Sequence, residues 1–253
     1  MTDRDNPPAR ASRQRAPRHA PGQNAAQRAF ASRVNHALRG DIHAVRAALS
    51  AALEQARAAA LPAPARAAFT QLERAVAGLE QRALDIALLT RAESGALELN
   101  RQPQRLKWVI EAACQKYRGM AGRYGVKLRL DLAACGTLAP PLDQELMERA
   151  LAALLDNAIR FSPRDGVVMV CGGQDGDVAR IMVRDQGSGF APGDEKRVFA
   201  PFAVGGNVES GSGDGLGLGL AVARAIVEAH GGRIRVAQSK EPGGAVTIEL
   251  PLT

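Results

Sequence analysis

The sequence predicts two architectures in one chain, a long helical hairpin that pairs into a dimeric four-helix bundle, then an α/β two-layer sandwich. Three observations carry this. From about residue 26 to residue 94 the chain is rich in Ala, Arg, Gln and Leu, with apolar residues recurring every three or four positions. That stretch is interrupted at LPAP, residues 61–64. After Asn100, short β-branched runs alternate with helical segments and glycine turns.

In the first helix Phe30, Val34, Leu38, Ile42, Val45, Leu49 and Leu53 form one apolar stripe. Pro62 and Pro64 suit a turn and the first turn of a second helix, where a missing N–H costs nothing. Phe69, Leu72, Val76, Leu79, Ala83 and Ile86 to Leu89 continue the stripe, and Gly95 is a natural helix stop. A single hairpin cannot bury such stripes, so a homodimer about a twofold axis is expected. A coiled-coil spacer fits the same pattern.

The second half predicts a helix at 106–122, a strand at 126–132 and a helix at 143–161. Strands at 167–172 and 179–185, a helix at 221–230 and two last strands around a Pro-Gly-Gly turn complete it. The spacing is too irregular for a βαβ repeat. The expected division is a basic tail at 1–26, the hairpin at 27–98 and the α/β domain at 99–253.

Composition sets the limits. No apolar run approaches the roughly 20 residues that span a bilayer, and the N-terminus lacks the apolar segment of a secretory signal, so a cytoplasmic protein is expected. Cys114, Cys135 and Cys171 are far apart and form no CxxC or Cys/His cluster, which excludes a zinc ribbon and points to reduced thiols. The net charge is +7, and Arg4, Arg10, Arg13, Arg15 and Arg18 of the tail contribute to it. A segment so poor in large apolar residues is expected to be disordered: a solvated arm, or an electrostatic contact for an acidic partner. No nucleic-acid-reading motif is present, so no specific nucleic acid is expected.

The residues that carry chemistry lie mostly in the second half. DQGSGF places Asp185, Gly187 and Gly189 just after a strand, and GDGLGLGL runs from Gly213 to Leu220 into a helix. Glycines let backbone amides approach a phosphate, and the helix N-terminus adds partial positive charge. No GK[ST] follows, so this is no Walker P-loop. Ahead lies ALLDNAIRFS, with Asn157 on an otherwise apolar face and Arg160 one turn on. A neutral oxygen ligand for Mg2+ and a cation for phosphate suit that spacing, as does a helix end with a surface arginine.

Together these segments resemble the ATP-binding domain of the GHKL superfamily in its histidine-kinase branch, in the order asparagine box, first glycine box, phenylalanine box (VFAPF, with Phe199 and Phe202) and second glycine box. The resemblance implies a Bergerat-type fold and the cofactors ATP and Mg2+. It implies that Asn157 is the metal ligand and that Asp185 accepts from the adenine amino group. Phe161 stands beside the base, Gly187 and Gly189 shape its pocket, and Gly215 and Gly217 line the phosphates; Arg160, Gly213, Leu216 and Leu218 are further candidate nucleotide-binding residues. Residues 203–212 match the lid over the nucleotide. One position departs from the family: Ala153 stands where a second asparagine is usual.

The hairpin segment FASRVNHALRGDIHAV resembles the family's phosphoacceptor motif, with His36, Leu38, Arg39 and Ile42 matching. This implies a sensor histidine kinase of a two-component system: His36 takes the γ-phosphoryl group of ATP and passes it to an aspartate of a response-regulator receiver domain. His43 is the rival acceptor. Ala37, Gly40 and Asp41 replace the family's acidic residue, Thr/Asn and Pro. Asp41, one helical turn beyond Ala37, either supplies the missing carboxylate beside His36 or is a solvated surface residue. A catalytically weak or inactive dimeric nucleotide-binding scaffold or phosphotransfer module, and a serine kinase of the anti-sigma type, are the competing readings. The input partner is a separate sensor protein or a further part of a longer chain.

Overall fold

The computed structural model describes residue 40 and residues 44–52, 54–55, 62–203, 216–237 and 242–253. His36, Arg39, Asp41, Gly213 and Gly215, the tail and most of the predicted lid lie outside the described residues.

Helix α1, described at residues 44–52 and 54–55, faces helix α2, Ala63–Glu93. Pro62 caps α2, and the helix ends where Gly95 takes φ 69° and its amide reaches Ala92 O at 3.0 Å. Leu49 and Val76 are buried against each other with Phe69 beside them, and Arg46 pairs with Glu80 at 2.7 Å. The stripe predicted for the second helix is divided here. Val76 and Phe69 face α1, whereas Leu72, Leu79 and Ile86, seven residues apart, are exposed at 50%, 53% and 39%. Heptad spacing carries these three along one side of the helix, and this side has no cover among the described residues.

The remainder is a five-stranded sheet with three helices on one face. Its strands are β2 (Lys127–Asp131), β4 (Val167–Asp175), β5 (Val178–Arg184), β6 (Arg233–Val236) and β7 (Ala245–Pro251), in the order β2-β4-β5-β7-β6. β2 and β4 are parallel and the other pairings antiparallel. Alternation decides which face is covered: Val168, Val170, Ala179, Ile181, Val183, Val246, Ile248 and Leu250 are buried. Beneath them lie α3 (Leu106–Tyr124), α4 (Gln144–Phe161) and α5 (Gly219–Ala229). Asp143, predicted as the first residue of α4, is its N-cap, its carboxylate accepting from Leu146 N at 3.1 Å. The two-residue strands β1 (Gln102–Pro103) and β3 (Pro141–Leu142) pair antiparallel. They are too short for any periodicity to announce.

The hairpin and the sandwich share packing. Leu88 of α2 is 5% exposed and belongs to the same core as Leu106, Met147 and Ile226. Burying one such side chain stabilises by about 1.5–3 kcal/mol. Asp85 of α2 pairs with Arg149 of α4 at 2.6 Å, both side chains largely covered. No described helix is long and apolar enough to cross a membrane.

Candidate functional site

The site is built at the edge of the sandwich, where β5, the C-terminal end of α4 and the N-terminal end of α5 meet. β5 delivers Asp185 immediately after its last residue, and the carboxylate is 6% exposed. Oδ1 accepts from Gly187 N at 2.8 Å and from Gly244 N at 2.9 Å. Both amides fall on one oxygen, so Oδ2 is the carboxylate atom this geometry leaves to a ligand. A carboxylate oxygen accepts, so Oδ2 suits a ligand N–H.

The glycines are required by close approach. A Cβ at Gly187 would sit 2.2 Å from Phe161 O, and one at Gly189, whose φ is 70°, would sit 2.8 Å from Gly243 O. The first glycine box is thus pressed onto the end of α4. Sequence reasoning treated the Pro-Gly-Gly segment only as a turn between strands, and the structure makes it part of the site. A Cβ at Gly243 would lie 2.0 Å from Asp185 O, and one at Gly244 would lie 2.7 Å from Asp185 Oδ2. Asp185 N also donates to Gly244 O at 2.8 Å. The signal in the sequence was the doubled glycine itself, which two antiparallel strands do not by themselves need.

α4 brings Asn157, Arg160 and Phe161 to one end. Phe161 is 46% exposed, a ring free to take a planar ligand. Asn157 is half-buried and makes no side-chain hydrogen bond to another described residue. Its amide oxygen is therefore open to a hard cation, whose other ligands would be phosphate oxygens and waters. Among the described residues no cluster of three acidic, His or Cys side chains offers an alternative metal site. Arg160 is held by Asp156 at 2.8 Å, an i,i+4 pair along the helix, so its guanidinium is already engaged on the flank of the site.

The second glycine box enters at α5. Gly217 takes φ 65°, where a Cβ would lie 2.4 Å from Ala203 O, and its carbonyl accepts from Phe202 N at 3.1 Å. The phenylalanine box is thereby pinned to the glycine box: Phe199 is the buried anchor, and Phe202, at φ 63°, is 62% exposed. Leu218 caps α5 and is buried, and Leu216 is exposed. Ala153 lies beside the start of α5, where a Cβ on Gly219 would stand 3.6 Å from the Ala153 Cβ, an ordinary van der Waals contact. A helix N-terminus with flanking glycine amides is a site for phosphate groups.

The cysteines take no part. All three are free thiols, and burial pushes Cys114 up to about 11. Such a thiol stays protonated and unreactive.

A buried carboxylate at a strand end, two glycine boxes and a helix N-terminus define a nucleotide-binding ATPase domain. Residues 142–253 match the family described as "Histidine kinase-, DNA gyrase B-, and HSP90-like ATPase", and the domain belongs to it. The chain is a homologue of sensor histidine kinases. It is 30% identical over 173 residues to the virulence sensor protein BvgS of Bordetella bronchiseptica, covering 67% of this chain and 14% of that protein. It is 32% identical over 234 residues to the sensor protein KdpD of Mycobacterium tuberculosis, covering 89% of this chain and 26% of that one. The chain therefore spans well under half the length of these relatives. Among solved structures, the Acinetobacter baumannii histidine kinase AdeS matches with a TM-score of 0.63 and 26% identity, over 82% of this chain and 94% of that one. Full-length ShkA in complex with AMPPNP shares the fold, with a TM-score of 0.69 and 24% identity, over 93% of this chain and 46% of that one.

Proposed function

We propose that the chain is an ATP-dependent protein histidine kinase that autophosphorylates His36 and passes the phosphoryl group to a response-regulator aspartate in two-component signalling. The observation that carries this reading is Asp185, fixed by two amides on Oδ1 so that Oδ2 is offered to a ligand. An adenine amino group is the donor that suits it. Asp185 would select the base, and Gly187 and Gly189 would shape its pocket with Phe161 against the ring. Gly213, Gly215, Leu216, Gly217 and Leu218 would line the phosphates. Asn157 would hold Mg2+, which neutralises phosphate charge when bound, and Arg160 would face phosphate on exchanging its partner Asp156.

In the transfer a lone pair on a His36 imidazole nitrogen forms a bond to the γ-phosphorus. The bond from that phosphorus to the β–γ bridging oxygen breaks, and ADP leaves. Imidazole is substantially neutral near pH 7 and keeps one nitrogen free. Arg39 of the acceptor segment belongs to the catalytic set, and Asp41 is assigned to the imidazole N–H, fixing the tautomer. The protein works as a homodimer in the cytoplasm, with a receiver domain as its downstream partner and a sensor, separate or covalently joined, as its input. The exposed row Leu72, Leu79 and Ile86 supports the dimer.

Incubation with γ-labelled ATP tests the reaction. The wild type is expected to carry an acid-labile, base-stable label that His36→Gln lacks, and label persisting in His36→Gln sinks the assignment. Ala37, Gly40 and Asp41 favour a second reading, a nucleotide-binding scaffold, for which ATP would bind without labelling either protein.

A further inference from the structure

His230, at the C-terminal end of α5, is 1% exposed and lies far from the nucleotide site. Both ring nitrogens are used. Nδ1 is 2.7 Å from Ile226 O, and a carbonyl only accepts, so Nδ1 carries the proton. Nε2 lies 3.0 Å from Asp143 N, a donor, so Nε2 presents its lone pair. The two partners fix one neutral tautomer. Burial, the first cause, lowers the pKa of the ring from 6.5, in accord with that geometry.

Asp143 is the centre of a wider arrangement. Its backbone N–H is held by His230, its Oδ1 caps α4 at Leu146 N, and its Oδ2 accepts from Asn100 N at 3.0 Å. Asn100 belongs to the linker that leaves α2. Its neighbour Arg101 donates to Ala229 O in the last turn of α5. The linker is therefore fastened to the start of α4 and the end of α5 together. The opposite ends of these two helices carry Asn157 and Phe161, and Gly217 and Leu218. Asn157 lies about 20 Å along α4 from this cap, at 1.5 Å per residue, too far for His230 to touch a nucleotide.

We propose that the Asp143–His230 pair is a joint that fixes the linker from the hairpin to the rear ends of both nucleotide-binding helices, which makes His230 a positioning residue for phosphoryl transfer. The proposal rests on the kinase reading above for its effect on rate, and on hydrogen bonds alone for the joint. Its consequence is a separation of effects. Loosening the joint leaves the pocket intact and misplaces it relative to the hairpin, so turnover falls while nucleotide affinity stays.

Two substitutions dissect the ring. His230→Asn keeps a donor for Ile226 O but cannot reach Asp143 N. His230→Gln keeps an acceptor at the Nε2 position. In the 253-residue chain without nucleotide, amide exchange at Asn100 and Asp143 is expected to accelerate at least tenfold in His230→Asn and to stay near wild type in His230→Gln. Autophosphorylation kcat is expected to fall about tenfold in His230→Asn with KM for ATP within twofold, and His230→Gln is expected to restore it. Arg101→Ala, a surface change, is expected to lower kcat in the same way should His230→Asn fail to fold. Unchanged exchange at Asn100 in a folded His230→Asn overturns the joint. Accelerated exchange with wild-type kcat, or kcat and ATP affinity falling together, overturns the positioning role. A wild type that labels no histidine refutes the kinase reading instead, and the exchange measurement still decides the joint.

Discussion

The hairpin and the ATP-binding domain solve the same problem in opposite ways. The domain closes its core within the chain: Ile181, Ile248, Ile226 and Met147 have no measurable exposure. The hairpin buries Leu49 and Val76 but leaves Leu72 and Leu79 half exposed. A sheet with three helices on one face has enough apolar area to cover itself, whereas two helices do not. The difference teaches that the two regions answer to different perturbations. Changes in the nucleotide pocket should move ATP binding and spare association, and changes on the hairpin's outer side should move association and spare ATP binding.

The sharpest way to break that comparison is at Gly187. A methyl group there meets Phe161 O at 2.2 Å, and backbone cannot retreat cheaply. Gly187→Ala is expected to cost about 3 kcal/mol, or roughly 150-fold in ATP affinity by calorimetry, with the dimer unchanged. Asp185→Asn removes a charged acceptor and should cost about 1.5–3 kcal/mol, roughly 10- to 150-fold, for adenine nucleotides. Wild-type ATP affinity in that variant would remove the pocket from Asp185.

On the other side, Leu79→Glu places a charge in the exposed row of α2. Light scattering of the full chain should show the dimer dissociating at concentrations at least tenfold higher than for the wild type, with ATP affinity unchanged. A dimer of undiminished strength would mean that subunits meet elsewhere. Asp41→Asn tests the acceptor segment: loss of a positioned base should slow autophosphorylation at least tenfold, such help typically supplying about 10²–10⁴-fold. ATP affinity and association should stay put. Wild-type rate would make Asp41 a solvated residue.

The smallest effect is on pH. The groups facing His230 are Arg101 from the linker, which lowers its pKa, and Asp143 from the α4 cap, which raises it, while Glu228 of α5 is engaged by Arg224 at 2.7 Å. Because the folded pKa is depressed, the contribution is fully present above the unfolded value of 6.5 and is lost as pH falls through the lower folded value. Thermal melts should therefore show a modest loss of stability below pH 6.5 that His230→Gln lacks.

Much of this was legible in the residues. Periodicity placed α2, α3, α4 and α5 to within a few positions, and glycine and proline marked their ends, because helix boundaries are decided by local backbone chemistry. Gly187, Gly189 and Gly217 were legible as glycine positions because a close backbone approach there admits no other residue. Where a signal depends on partners distant in sequence, the chain alone was silent. Heptad spacing in α2 says that a side is apolar, but only packing against α1 and the sandwich separates Val76 and Leu88, which are covered, from Leu72 and Leu79, which are not. Gly243 and Gly244 read as a turn until β6 and β7 brought them against Asp185, 58 and 59 residues away in the chain. His230 read as the end of a helix. Its imidazole gained a second partner only when folding set Asp143, 87 residues earlier, against its far nitrogen. Local sequence determined which segments are helix, strand or glycine loop. Tertiary structure alone decided which polar groups meet, because burial removes the water that would otherwise satisfy each of them separately.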